Sequence, residues 1–214
     1  LGETSDGKKI YLFDFKADSS VIQEIGRLRE LSFRKVNEGV NKRRDIDKYD
    51  KYYKHIILWD EDELEIVGSY RIAIGEDIYE SRGFEGFYTN TLFKFDKNFR
   101  DKLLQSIELG RSFVQPKYWG SRALDYLWYG IGAFLRENPE IKYMYGPVSL
   151  SASYPQLAKE LIVDFYSNYF PAKKQLVKAT NPFEFETAQI ALENSFSYDD
   201  YKEEFEKIEG KYNR

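Results

Sequence analysis

"ELGRSFVQPKYWGSRA", Glu108 to Ala123, is the stretch on which the reading of this chain turns. An acid and a base stand three residues apart in what reads as a buried β segment. Side chains alternate along a regular strand, so Glu108 and Arg111 fall on opposite faces unless the strand is interrupted. One extra residue, a β-bulge, brings both toward one face, and Gly110 between them is its natural place. The stretch then passes into a Gly-containing loop and Ser121, a residue type that starts helices.

Downstream, "SRALDYLWYGIGAFLREN" is the clearest helix in the chain. Leu124, Leu127, Trp128, Ile131, Phe134 and Leu135 form its apolar stripe. "KYMYGPVSLS" reads as the next strand, "PQLAKELIVDFYSNYF" as a helix with Pro155 at its start, and "KKQLVKAT" as a last short strand. Upstream, "KKIYLFDFK" alternates as a first strand. "SSVIQEIGRLRELSFRKV" carries Val21, Ile22, Ile25, Leu28 and Leu31 near helical spacing behind a Ser cap. "NEGVNKRRDIDKYDKYY" has no apolar period and reads as a long loop of the functional kind. "KHIILW" and "LEIVGSYRIAIG" are two strands joined by the acidic turn "DEDE", "RGFEGFYTNTLFKFD" is irregular, and "DKLLQSIELGRSFVQ" starts helical and becomes a strand. Hairpins mixed with single helical crossovers predict an α/β (α+β) fold: a mixed, mostly antiparallel central sheet with flanking helices. Residues 1–180 form the expected domain, and 181–214 a helical, weakly packed extension.

The composition excludes several classes. At 214 residues the chain can bury one substantial core, and its 42% hydrophobic and 17% aromatic content is that of a globular protein. No apolar run approaches the ~20 residues of a membrane span. There is no Cys, and His55 is the only His, so thiolate catalysis, Cys-ligated zinc and multi-His metal sites are excluded. His55 in "YKHIILW" reads as a half-buried strand histidine. A net charge of −4 argues against a nucleic-acid binder. Charge is uneven, with a basic "NKRRDIDKYDKYYK" and an acidic "YDDYKEEFEKIEG"; solvated faces are the ordinary explanation of such runs. No GxGxxG or GxxxxGK[ST] pattern occurs. The chain begins with Leu1 and reads as a piece of a longer protein.

Charges that interrupt apolar segments form an ordered set: Arg29 four residues before Phe33, then Asp47 and Asp50 in "DKYD", Arg71 closing "VGSYR", then Glu108 and Arg111. Singly, each has an ordinary structural explanation as surface charge or ion pair. The order Arg-x-x-x-Phe, Asp-x-Tyr-Asp, Gly-x-x-Arg, Glu-x-x-Arg resembles the acyl-homoserine-lactone synthases and their relatives, the amino-acid N-acyltransferases, within the GNAT superfamily. It covers about Ile10 to Phe170. "RLRELSFR", "RRDIDKYD", "ELGRSFVQPKYWG", "LDYLWYGIGAFL" and "YGPVSLSASYP" are similar to the ornithine-lipid and glycine-lipid type, sometimes labelled "hemolysin".

The resemblance implies a GNAT-like N-acyltransferase fold. It also implies transfer of a fatty acyl group from a thioester to the α-amine of a small amino acid such as glycine or ornithine. Its base would be Glu108, with Arg111 beside it. Burial would raise the proton affinity of Glu108 and Arg111 would lower it, so the net direction stays open. Arg29, Phe33, Asp47, Asp50 and Arg71 would bind the amino acid, the arginines holding its carboxylate and the aspartates orienting the amine or bracing the arginines. Ser149 and Ser151 would face a neighbouring strand and contact thioester or substrate. Lys117, Gly120, Ser121 and Arg122 would meet the thioester or its carrier, with Lys173 and Lys174 as further docking cations; solubility explains each lysine singly. Of the acetyl-CoA signature [QR]-x-x-G-x-[GA], "KYWGSRA" keeps only Gly120, so acyl carrier protein fits better than coenzyme A as donor, the acyl-phosphopantetheine thioester being co-substrate. "VNEGVN" lacks the Trp of homoserine-lactone synthases, which argues against that product. No covalent cofactor or metal is implied.

Phe33, Trp59, Phe113, Tyr126, Trp128 and Phe134 are candidates for lining an acyl tunnel, with ordinary core as the simpler reading. Cytoplasmic location, with peripheral contact at the inner membrane face, and a fused or partnered O-acyltransferase complete the implied picture. An acyl-CoA-dependent acetyltransferase, a homoserine-lactone synthase and a non-catalytic lipid- or partner-binding domain remain as alternatives.

Overall fold

Residues 1–16, 19–186 and 200–212 are described in the computed structural model. Their strands are β1 (Gly2–Glu3), β2 (Lys9–Phe13), β3 (Lys54–Asp60), β4 (Glu65–Ile74), β5 (Phe93–Phe95), β6 (Ser106–Val114), β7 (Tyr143–Tyr145) and β8 (Val177–Ala179). Six of them form one sheet in the order β1-β2-β3-β4-β6-β7. Every pairing in it is antiparallel except β6 with β7. This is the expected mixed, mostly antiparallel sheet. β5 and β8 pair with each other outside it, so "KKQLVKAT" contributes a strand but not to the central sheet.

The helices are α1 (Ser20–Lys35), α2 (Gly75–Arg82), α3 (Arg100–Leu104), α4 (Ala123–Glu137), α5 (Gln156–Tyr169) and α6 (Tyr201–Tyr212). The Ser19 hydroxyl accepts from Val21 N at 3.3 Å and caps α1. α4 covers one face of the sheet, where Ile10, Ile56, Val67, Ile72 and Ile107 meet Leu127, Ile131 and Phe134. A Cβ on Gly130 would stand 2.8 Å from Ile10 and Ile56, so this bare turn lets α4 lie close on the strands. α1 covers the other face through Ile25 and Leu28 against Ile57, Ile66 and Phe113. α6 lies against α5, with Phe165 and Ile208 buried between them. Residues 187–199 of the expected extension lie outside the described residues.

Several expectations are corrected. α2, "GEDIYESR", has only Gly75 and Ile78 buried, so no apolar period announces it. The strand in "KYMYGPVSLS" ends at Tyr145, which leaves Ser149 and Ser151 beyond it rather than facing a neighbouring strand. Ser149 instead donates to Glu38 at 3.0 Å, and Ser151 shares a hydrogen bond with Ser153. α4 is rolled from its predicted stripe: Tyr126 and Ala123 are buried, while Leu124 and Trp128 are exposed. The tunnel candidates fall on opposite faces, Phe33, Trp59 and Phe113 under α1 and Tyr126 and Phe134 under α4, so the sheet divides them.

Candidate active site

The bulge is present, and the residue that makes it is Arg111. Ser69 pairs with Phe113 but Arg71 pairs with Gly110, so three steps on β6 match two on β4. Gly110 has no left-handed φ; Arg111 does, at +48°. That region costs a residue with a Cβ about 1–2 kcal/mol. The extra residue resets the parity of β6. Phe113 packs under α1, and Glu108, five residues back and paired with Ala73, meets Tyr53 and Thr89. The Arg111 guanidinium lies 5.4 Å from the Tyr88 ring and beside Asp45 and Asp47.

Those aspartates belong to the loop after α1. A Cβ at Gly26 would run into the Ile46 side chain, and Asp45 N donates to Gly26 O at 2.9 Å. The bare helix surface therefore lets the loop close against α1. One turn on, Arg29 reaches into it. Its guanidinium takes Asp50 in two parallel bonds, 3.1 and 2.8 Å, donates to the Asp45 carbonyl, and has Asp45 Oδ2 3.1 Å from Nε. Arg71 donates to Asp47 at 2.7 Å and to Asp50 at 3.2 Å. Asp47 and Asp50 also form a reciprocal capping box on the short helical turn Lys48–Lys51. Burial pushes the Asp50 carboxyl up, but the bonds from Arg29 and the charges of Arg29 and Arg71 prevail and hold it far below the usual carboxylate range. His55 is wholly buried rather than half-buried, 3.6 Å from Asp50. Burial lowers it to about 4 against the pull of that carboxylate, so it is neutral.

Arg29, Asp47, Asp50, Arg71 and Arg111 thus come together, with Asp45 as a sixth charge, three positive against three negative. Arg29 and Arg71 are spent on the aspartates. Arg111 differs: its contacts to Asp45 and Asp47 are loose, 3.6 and 3.8 Å, and its Nε lacks a hydrogen-bond partner among the described residues. It and Asp47 are also the cluster's partly exposed members, 22% and 25% against 3% or less for the rest. Phe33 packs against the α1 core on the same side of the sheet.

Glu108 is buried in a polar pocket of its own. Its carboxylate accepts from Thr89 N at 2.7 Å and from the hydroxyls of Thr89 and Tyr53. Tyr53 in turn accepts from Tyr88 N at 2.9 Å. Burial, and then the neighbouring Glu108 charge, push the Tyr53 phenol well above its ordinary value, so it stays a donor. Tyr145, opposite Glu108 in the β6–β7 pairing, is shifted the same way by burial and the Glu108 charge, and its hydroxyl has no partner among the described residues. Tyr53, Thr89 and Asp45 carry no spacing signal in the sequence. Tyr53 and Asp45 lie in the long loop and Thr89 in the irregular stretch.

The predicted thioester side lies beyond the bulge. A cavity of about 370 Å³ opens there between the end of β6 and the start of α4, lined by Phe113, Trp119, Gly120, Ser121 and Leu124 among others. Gly120 has φ +77°. Ser121 does not sit at the cap position, which is Arg122, yet its hydroxyl accepts from Ala123 N at 3.2 Å. Lys117 is paired with Glu63 and Glu65, and Arg122 with Asp125 and the Tyr129 hydroxyl. Lys173 and Lys174 are exposed. Among the described residues no group of acids and His could hold a metal.

A model of the GNAT acetyltransferase domain matches residues 28–129, the span from Arg29 through the bulge to α4. That span of the chain is similar to the GNAT acetyltransferase domain. The chain is 35% identical over 209 residues, 92% of its length, to a glycine N(alpha)-acyltransferase of Phocaeicola vulgatus, and spans 64% of that relative. To an L-ornithine N(alpha)-acyltransferase of Brucella abortus it is 29% identical over 132 residues, 59% of this chain and 46% of that one. The AHL synthase LasI superposes with a TM-score of 0.44 at 16% identity, over 65% of this chain and 71% of LasI. Thus the chain covers just under two thirds of the length of the glycine acyltransferase it matches. No helix among the described residues is long and apolar enough to cross a membrane.

Proposed function

We propose that the chain transfers a fatty acyl group from the phosphopantetheine thioester of acyl carrier protein to the α-amine of glycine, giving an N-acyl amino acid. The observation that carries this reading is the partly exposed edge of the charge cluster. Asp47 and Arg111 stand 3.8 Å apart there, one acid and one base, the complement of an amino-acid zwitterion. The remaining charges are mutually neutralised and hold that edge rigid. Glycine is favoured over ornithine because the likeness to the glycine enzyme runs over 92% of the chain and that to the ornithine enzyme over 59%.

Arg111 takes the acceptor carboxylate. The ammonium gives one proton to the Glu108 carboxylate through the Thr89 hydroxyl, which already donates to it. The freed amine attacks the thioester carbonyl, the C–S bond breaks, and the second amine proton leaves on sulfur as the thiol. The loop Lys117–Arg122 and the adjoining cavity receive the donor arm. Carrier protein is favoured over coenzyme A because Lys117 and Arg122 are engaged by neighbouring side chains and do not offer the charge a pyrophosphate demands. Peripheral membrane contact and an O-acyltransferase partner belong to the same reading, since an N-acylated amino acid is itself an amphiphile.

The test is incubation with long-chain acyl carrier protein and glycine, ornithine or S-adenosylmethionine in turn, and separately with acetyl-CoA, reading products by mass spectrometry. N-acylglycine is the expected product. A homoserine lactone, or a preference for acetyl-CoA, overturns the substrate assignment; binding of acyl carrier without turnover points to a non-catalytic domain. Glu108→Gln should lower the rate by about 10²–10⁴ with the fold intact, and full activity in that variant removes Glu108 as the proton acceptor.

A further inference from the structure

A second cleft, of about 480 Å³, opens on the other side of the site and plays no part in the acyl transfer just described. Its walls carry Lys48, Lys51 and Arg82. Lys48 and Lys51 stand at the two ends of the turn Lys48–Lys51, and in a 3₁₀ turn residues three apart eclipse, so both project to one side. The capping box of Asp47 and Asp50 fixes that turn, and the buried cluster in turn fixes Asp50. Arg82, the last residue of α2, lies 4.1 Å over the Tyr52 ring, which leaves its planar fork pre-set.

Charge makes this cleft unlike its surroundings. One acid, Glu85, also lines it, against three cations, in a chain whose net charge is −4. Among the described residues no carboxylate pairs with Lys48, Lys51 or Arg82, whereas Lys117 and Arg122 beside the other cavity both have acidic partners. The neutral hydroxyls are already committed: Tyr52 donates to Gly86 O at 3.0 Å and Ser81 to Asp77 O at 2.7 Å. What remains to be satisfied is cationic donor capacity around a concave space of small-ligand size.

We propose that the cleft of Lys48, Lys51 and Arg82 binds a phosphate-type oxyanion. Two lysine point charges and one guanidinium fork, offset by a single carboxylate, suit a dianion better than the single charge of a carboxylate. The cleft reaches the reaction centre through one carbonyl: Gly86 O accepts from Tyr52 and lies 3.4 Å from the Tyr53 hydroxyl that holds Glu108. A ligand anchored there would be linked to Glu108 through Gly86 and Tyr53 without occupying its pocket.

The chemistry fits a soluble phosphate ester or the headgroup of an anionic lipid, and two arms separate them. Glycerol 3-phosphate is titrated by calorimetry, and vesicles of phosphatidylglycerol or phosphatidylcholine are tested by co-sedimentation, with wild type, Lys48→Ala/Lys51→Ala and Arg82→Gln. No thioester is present, so the result stands whether or not the acyl-transfer reading holds. All three cations are exposed, and circular dichroism checks that the variants fold. Saturable glycerol 3-phosphate binding, weakened about tenfold or more in each variant and by added salt, assigns a soluble ester. Binding confined to phosphatidylglycerol vesicles and lost in the variants assigns a lipid headgroup. No binding in either arm, or binding that the variants retain, overturns the site.

Discussion

Arg29 and Arg71 lie beneath α1 with about 1% of their side chains exposed, while Lys117 and Arg122, a few residues past the bulge, are 47% and 58% exposed. Each is paired with acids. Beneath α1 the pairs are multidentate, shared and shut off from water, so their partners cannot be lost without stranding charge in a poor dielectric. At the loop the same pairing competes with water and is screened by salt. The buried group sets geometry; the exposed group can be changed without disturbing it. A basic residue in the sequence therefore says little until its acid and its depth are known.

The hardest test of this contrast is Asp50→Asn, which removes the charge shared by Arg29 and Arg71. It should cost about 3–5 kcal/mol, read from urea unfolding; a cost near that of a surface change would mean the cluster is not an interior network. Acid titration probes the same interior next. His55 is neutral in the fold with a pKa of about 4 against 6.5 in the free chain. The unfolded state therefore takes up its proton first. The stability His55 confers is complete above pH 6.5, falls as pH drops toward 4, and amounts to about 3 kcal/mol. Asp50 adds to the loss only below its unfolded value of 3.8. Unfolding midpoints between pH 7 and 4.5 should fall in the wild type and flatten in His55→Gln; parallel slopes would break the assignment.

Arg111→Gly sharpens the comparison at the boundary between the regions. Glycine accepts a φ of +48° freely, so stability should change by no more than about 1 kcal/mol. Acyl transfer should nonetheless fall on the order of a hundredfold through loss of acceptor positioning. Rates near wild type would show that the left-handed arginine serves only the strand. Smallest of all, Lys117→Ala should leave the melting temperature unchanged, and a clear drop there would erase the difference between the two regions.

Apart from the short β1 and β5, the order of strands was readable because periodicity and turn chemistry are local. α2 was not, because one buried Ile in eight residues leaves no period. The bulge was readable from the parity of Glu108 and Arg111, but its left-handed residue was not. Intrinsic preference pointed to Gly110, whereas Asp45, Asp47 and the Tyr88 ring gather around Arg111. Likewise the arginines and acids could be picked out as a set, yet their spending on each other follows from the approach of the loop to α1, which no local pattern encodes. Thr89 and Tyr53 were invisible for the same reason: their partner Glu108 is 19 and 55 residues away.

Gly26 gives that approach a further meaning. Helix propensity alone favours alanine in mid-helix by about 1 kcal/mol, and α1 goes without it. The missing methyl is the clearance through which Ile46 seats, with Asp45 and Asp47 on either side of it and Lys48 and Lys51 just beyond. The proposed acceptor edge and the proposed oxyanion cleft thus hang from one anchor point in the chain. They are mechanically ganged: a shift of the loop at Ile46 moves both together, so neither can be retuned there alone.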